Sequence, residues 1–169
     1  MRRSLVTAVA GCLVVTTGLT GCASEPPVTL GSGYEVCAPS DGRMITFGDV
    51  ARASEGAAVV MDSVELVDPE GLELRETYLV PIENSTSLGA DAYPPDPRFW
   101  DRRLDVRGTV VDAGAEMTVM FAVAPVGGGE VHRSEGYVVR YWLDGRLVAA
   151  TSDGQFVIAP DCAATEDPE

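Results

Sequence analysis

Leu72-Glu73-Leu74-Arg75-Glu76-Thr77-Tyr78-Leu79-Val80-Pro81-Ile82 is the stretch on which the fold class turns. Leu72, Leu74, Tyr78, Val80 and Ile82 alternate with Glu73, Arg75, Thr77, Leu79 and Pro81, and period two is the mark of a strand with one buried face. Met117, Val119, Phe121 and Val123 form a second such stripe, and Tyr137, Val139, Tyr141 and Leu143 a third. Shorter candidates are Met44 to Phe47, Ala58 to Leu66, Val106 to Val111, Leu147 to Ser152 and Gln155 to Ile158, which brings the expected count to about eight. No stretch keeps a helical period beyond two turns, and Val50 to Gly56 has room for one short turn.

The residues between these segments are turn formers. Asp144-Gly145 separates the Tyr137 and Leu147 strands and suits a type I′ hairpin, whose two central residues need positive φ. Asp153-Gly154 predicts another tight turn, Asp112-Ala113-Gly114 a third and Gly127-Gly128-Gly129 a flexible fourth. Many short strands joined in this way predict an all-β, antiparallel β-sandwich of about 7–8 strands, with a small closed barrel as the rival architecture.

The chain has 169 residues, 12 Lys+Arg against 26 Asp+Glu, and a formal charge of −14. Every basic residue is an arginine, a usage expected of a GC-rich, actinobacterial genome. An acidic surface argues against nucleic-acid binding, which needs a basic face. The length suits one domain, and 46% hydrophobic residues suit a globular one.

The first residues read as an export signal. Arg2 and Arg3 precede an uncharged stretch from Leu5 to Leu19, the length of an apolar signal region and short of the roughly 20 residues of a membrane span. The following Leu19-Thr20-Gly21-Cys22 resembles the bacterial lipobox. That resemblance implies cleavage before Cys22 and diacylglyceryl and palmitate-type acylation of it, leaving a lipoprotein on the extracytoplasmic face of the cell membrane. Loss of residues 1–21 removes two arginines and no acid, so the mature chain has 148 residues and a charge of −16.

After Cys22, the Pro- and Gly-rich residues 22–34 read as a flexible tether, 35–162 as the sandwich domain and 163–169 as a frayed acidic tail. Cys12 leaves with the signal and Cys22 is the acyl site. The remaining pair, Cys37 and Cys162, close to the two ends of the domain in an oxidising compartment, is expected to form a disulfide.

A strand ending in Asn84-Ser85, an Ala113-Gly114 turn leading into Met117 to Val123 and Pro125, and a Tyr137 to Tyr141 strand resemble the immunoglobulin-like domains of secreted lipoproteins of Gram-positive bacteria. The likeness spans about residues 55–160. It implies a sandwich with an extracytoplasmic binding or accessory role. The Cys, Trp, Cys spacing of antibody domains is absent.

Chemistry is sparse. His132 is the only histidine, which excludes a His pair, and its place in the Gly127 to Gly136 run predicts an exposed loop residue. Met44, Met61, Met117 and Met120 read as core packing, not as copper ligands. Asp91, Asp96 and Asp101 lack the spacing of a calcium loop. No Gly-x-Ser-x-Gly, Ser-x-x-Lys or phosphate loop occurs, so no catalytic, cofactor or metal residue is expected. Asn84-Ser85-Thr86 is a glycosylation sequon, read as coincidence in a bacterium.

Tyr93-Pro94-Pro95-Asp96-Pro97-Arg98-Phe99-Trp100-Asp101-Arg102-Arg103 stands apart, placing three aromatics beside three of the ten mature arginines. Tyr93, Arg98, Phe99, Trp100, Arg102 and Arg103 are thus the candidate partner-binding residues, because aromatics and Arg dominate binding hot spots. The competing expectation is that Phe99 and Trp100 fold back to cap one end of the sandwich.

The reading is a lipid-anchored, non-catalytic binding or accessory module whose partner is an envelope protein, peptide or glycan. A solute- or metal-ion-binding receptor is the alternative, and a cell-wall-associated hydrolase a distant third. A receptor requires a concave pocket of several hundred Å³, about the size range of small-ligand sites.

Overall fold

The structure is a computed structural model that describes residues 26–40, 42–82 and 87–164. In chain order the strands are β1 (Val28–Leu30), β2 (Glu35–Pro39), β3 (Ile45–Ala53), β4 (Val59–Val67), β5 (Leu72–Pro81), β6 (Ala90–Ala92), β7 (Leu104–Asp105), β8 (Val110–Val111), β9 (Glu116–Pro125), β10 (His132–Ser134), β11 (Gly136–Leu143), β12 (Arg146–Ser152) and β13 (Gln155–Ala159). One helical turn, α1 (Pro97–Trp100), lies between β6 and β7, and a 3-10 turn (Cys162–Ala164) follows β13.

The fold is an all-β sandwich of open sheets. One layer is a sheet ordered β1-β3-β9-β5-β7, with β6 beside β1 on the outer edge of β3. The other layer holds two sheets, β12-β11-β4-β8 and β10-β13-β2. All the strand pairs are antiparallel except β13 with β2, which run parallel. The barrel alternative is excluded because none of these strand orders closes on itself.

The layers meet in an aromatic core. Phe47 of β3 and Phe121 of β9 come from one layer, Phe156 of β13 and Tyr137 of β11 from the other, and all four are fully buried. Phe121 packs edge-on against Phe156 with ring centroids 4.8 Å apart, and Phe47 against Phe156 at 5.2 Å. Edge-to-face geometry aligns the positive ring edge with the negative face of its neighbour.

β5 departs from simple alternation. Its pairing with β9 shifts register between Leu74 and Glu76, so an extra residue, Arg75, is accommodated on one strand. Leu72 and Leu74 face the main core, but beyond the bulge Leu79 takes over that face. Tyr78 and Val80, expected to share the stripe with Leu72, instead turn to the outer face and pack with Met120, Leu88 and Phe99. A one-residue slip moves every later side chain to the other face.

Other expectations are corrected. The region read as a tether, 22–34, is structured from residue 28: Val28 is buried and β1 pairs with β3. Gly31 is needed for close approach, because a Cβ there would lie 2.5 Å from Asp49 Oδ1. Val50 to Gly56 holds no helical turn; β3 runs on to Ala53 before turning. Val106 to Val111 forms a strand only at its last two residues, because Gly108 turns the chain with φ 85°. Asp144-Gly145 adopts the expected positive φ at both positions, 49° and 74°. Asp153-Gly154, expected as a tight turn, forms none: it is an irregular connection through which β13 leaves the sheet of β12 and joins β10 and β2. The signal segment, Cys22, the Asn84-Ser85-Thr86 sequon and the tail beyond residue 164 lie outside the described residues.

Candidate functional site

Cys37 of β2 and Cys162 of the final 3-10 turn form a disulfide with their Cα atoms 5.6 Å apart, closing a separation of 125 residues. β2 and β13 are already paired alongside, with Cys37 opposite Val157. The bridge therefore pins the C-terminal turn to the start of the domain.

Near this bridge a cleft of about 650 Å³ opens at one end of the sandwich. Pro39 ends β2, Pro125 ends β9 and Pro160 follows β13, and with Ile45 and Ile158 they form an apolar wall. Proline has no amide hydrogen to continue a ladder, so three strands ending in this way leave a gap and not an extended sheet. Ser40, Arg43, Glu130 and His132 add polar groups of both signs. The Ser40 hydroxyl donates to the Arg43 carbonyl at 3.0 Å, holding the β2–β3 turn. A cleft with apolar walls and a few polar groups suits a small polar ligand or an extended chain segment.

His132 is not the exposed loop residue expected from its Gly-rich surroundings. It is 8% exposed, starts β10 and pairs with Ile158. Its ring lies directly on Gly71, which has φ 67°, leaving no room for a Cβ. No motif or spacing in the sequence singles out Ser40, Arg43 or Glu130. The signal present was indirect: residues 39–42 and Gly127-Gly128-Gly129 are turn formers in sequence, and Ser40, Gly42 and Gly129 line the same cleft.

The Tyr93–Arg103 loop crosses the outer face of the β1-β3-β9-β5-β7 sheet. Phe99 is buried with Tyr78, Val80, Leu88 and Met120. Trp100 receives Tyr78 and Tyr93 edge-on, with centroids at 5.4 and 5.5 Å. The Tyr78 and Tyr93 hydroxyls both donate to the Glu76 carboxylate, at 2.7 and 3.2 Å. Burial, then the hydrogen bond to Glu76, pushes the Tyr78 hydroxyl well above its ordinary range.

The arginines of the loop are engaged within the protein. Arg103 lies 4.0 Å over the Trp100 ring, Arg102 donates to the Pro81 carbonyl at 3.1 Å and Arg98 approaches Asp96 at 3.5 Å. The acids serve as caps: Asp96 accepts from the Arg98 amide at the start of α1, and Asp91 accepts from the Asp96 amide. The loop thus covers a sheet face rather than an end of the sandwich. It adjoins the cleft, whose wall includes Ala92.

A second polar centre is internal. Asp49 of β3 points into the core at 9% exposure and accepts a 2.7 Å hydrogen bond from the Tyr137 hydroxyl. Burial, then the Asp49 charge and this bond, drives Tyr137 far above its ordinary range. Tyr34 is pushed up by burial and by the same carboxylate. The Asp49 cluster is enclosed by the two layers and reads as structural.

Among the described residues no three His, Cys, Asp or Glu side chains converge as a metal site; Met61, Met117 and Met120 are buried in the two apolar clusters, whereas Met44, also expected there, is only half-buried and belongs to neither. The chain matches no protein-family model and no curated protein sequence.

Proposed function

We propose that this protein is a lipid-anchored, extracytoplasmic β-sandwich that serves as a non-catalytic binding or accessory module at the cell envelope, with the cleft between Arg43 and His132 as its recognition site. The observation that carries the reading is polarity along the domain. The chain enters at Pro27, whose carbonyl accepts from the Ser54 amide just past the far end of β3. The cleft is walled by Ile45, at the near end of the same strand. Eight residue steps along β3 separate these ends by about 26 Å, at about 3.3 Å per residue. An acylated Cys22 would therefore hold one end at the bilayer while the cleft faces away from it.

The cleft also favours a second reading, a solute receptor, because its volume lies in the range of small-ligand sites. One experiment separates the two. A photoreactive residue replacing Glu130 on intact cells is expected to capture an envelope protein, peptide or glycan, and Arg43→Ala is expected to abolish that capture. Adducts confined to small molecules support the receptor, and no difference between the Glu130 site and an exposed position such as Thr151 overturns the cleft as recognition site.

A further inference from the structure

The outer face of the β12-β11-β4-β8 sheet carries an unpartnered apolar row. Leu147 lies opposite Trp142, Trp142 opposite Val60 and Val60 opposite Val110. The four side chains therefore share one line across all four strands, spanning three inter-strand spacings or about 14 Å. They are 48, 43, 37 and 59% exposed in that order, and they are four of the seven large apolar side chains exposed among the described residues. Singly scattered exposed apolar residues need no explanation, but a row in one register does.

The row sits at the end where the chain enters. Val59 and Val111, the inward neighbours of Val60 and Val110, contact Val28, and Pro27 is tied to Ser54 in the β3–β4 turn. Cys22 is four residues before Pro26, a reach of at most about 14 Å. Two carboxylates beside the row, Asp62 and Glu65, have their charge offset by Arg107 and Arg140 at 3.6 and 3.2 Å. Trp142 satisfies its indole N–H on Asp62 at 3.4 Å and leaves its ring outward, the arrangement that suits an interfacial tryptophan.

We infer that the Leu147-Trp142-Val60-Val110 row rests on the lipid bilayer that holds the Cys22 acyl chains, a second membrane contact that fixes how the domain leans. This rests on the lipid-anchor reading. Tethering makes the contact intramolecular, so a row too small to recruit a free protein is sufficient once Cys22 is inserted.

The test uses the acylated chain in vesicles of phosphatidylcholine and phosphatidylglycerol with brominated acyl chains. Trp142→Phe beside the parent isolates the Trp142 emission, since both keep Trp100. The expected result is loss of most of the Trp142 emission to lipid quenching, abolished by Leu147→Glu with Val110→Glu while circular dichroism and the acylated mass stay unchanged. An acylated protein whose Trp142 is unquenched overturns this inference and leaves the anchor standing. A Cys22 that carries no lipid in cell membranes brings down the anchor reading and this one with it. Concentration-dependent dimerisation of the Cys22→Ala form that shields Trp142 without lipid quenching assigns the row to a second copy and likewise overturns it.

Discussion

Asp49 is the residue with most at stake in the core. A carboxylate enclosed between two sheets is tolerated because Tyr137 donates to it and the Val50 amide does the same at 2.7 Å. Tyr137→Phe removes one donor and keeps the ring, so it is expected to cost about 1.5–3 kcal/mol, the usual worth of a hydrogen bond to a charged group, read from urea unfolding midpoints. The pH dependence follows from the buried hydroxyls. Tyr34, Tyr78 and Tyr137 are all raised above 10.0 in the folded state. Their contribution is complete below the unfolded value and lost as pH rises beyond it, because the unfolded chain then releases the protons more readily. Stability should therefore fall above about pH 10, and Tyr137→Phe should flatten that decline in alkaline melts. Gly71→Ala should destabilise by more than about 1 kcal/mol, since it combines positive φ with contact on His132.

At the scale of elements, the Tyr93–Arg103 loop behaves as a cover for a face that the β5 bulge made apolar. Phe99→Ala should lower stability by about 3–5 kcal/mol, as for a buried Phe. Arg103→Ala should cost no more than about 1 kcal/mol, the value of an exposed cation–π contact. Thermal denaturation of the two variants checks the contrast, and equal losses would refute the cover. The strands themselves were legible because period-two stripes such as Met117–Val123 and Tyr137–Leu143 are direct consequences of the pleat. The bulge at Arg75 was not, since Tyr78 and Leu79 are both apolar and either fits the core. β1 was hidden because Gly31 and Gly33 look like linker residues when the Asp49 carboxylate that abuts Gly31 and the Asp153 carboxylate that accepts from the Gly33 amide come from distant parts of the chain. His132 was misplaced for the same reason: its partners, Gly71 and Ile158, are remote in sequence.

For the whole molecule, the Cys37–Cys162 bridge is the longest-range constraint described. Replacing both by Ser should cost about 4–5 kcal/mol if restriction of the unfolded chain dominates, measured by denaturant midpoint, because the loop spans 125 residues. This bridge was readable from cysteine arithmetic alone; the cleft beside it was not, because it arises where three proline-terminated strands from separate parts of the chain end together. Chain entry at one end and a cleft at the other give the domain a direction, and that direction has functional meaning only if Cys22 is anchored. Mass spectrometry of the N-terminal peptide from purified cell membranes tests this most directly. A chain beginning at Cys22 and bearing a diacylglyceryl group is the expected result, and an unmodified Cys22 or a chain beginning elsewhere would overturn the anchor.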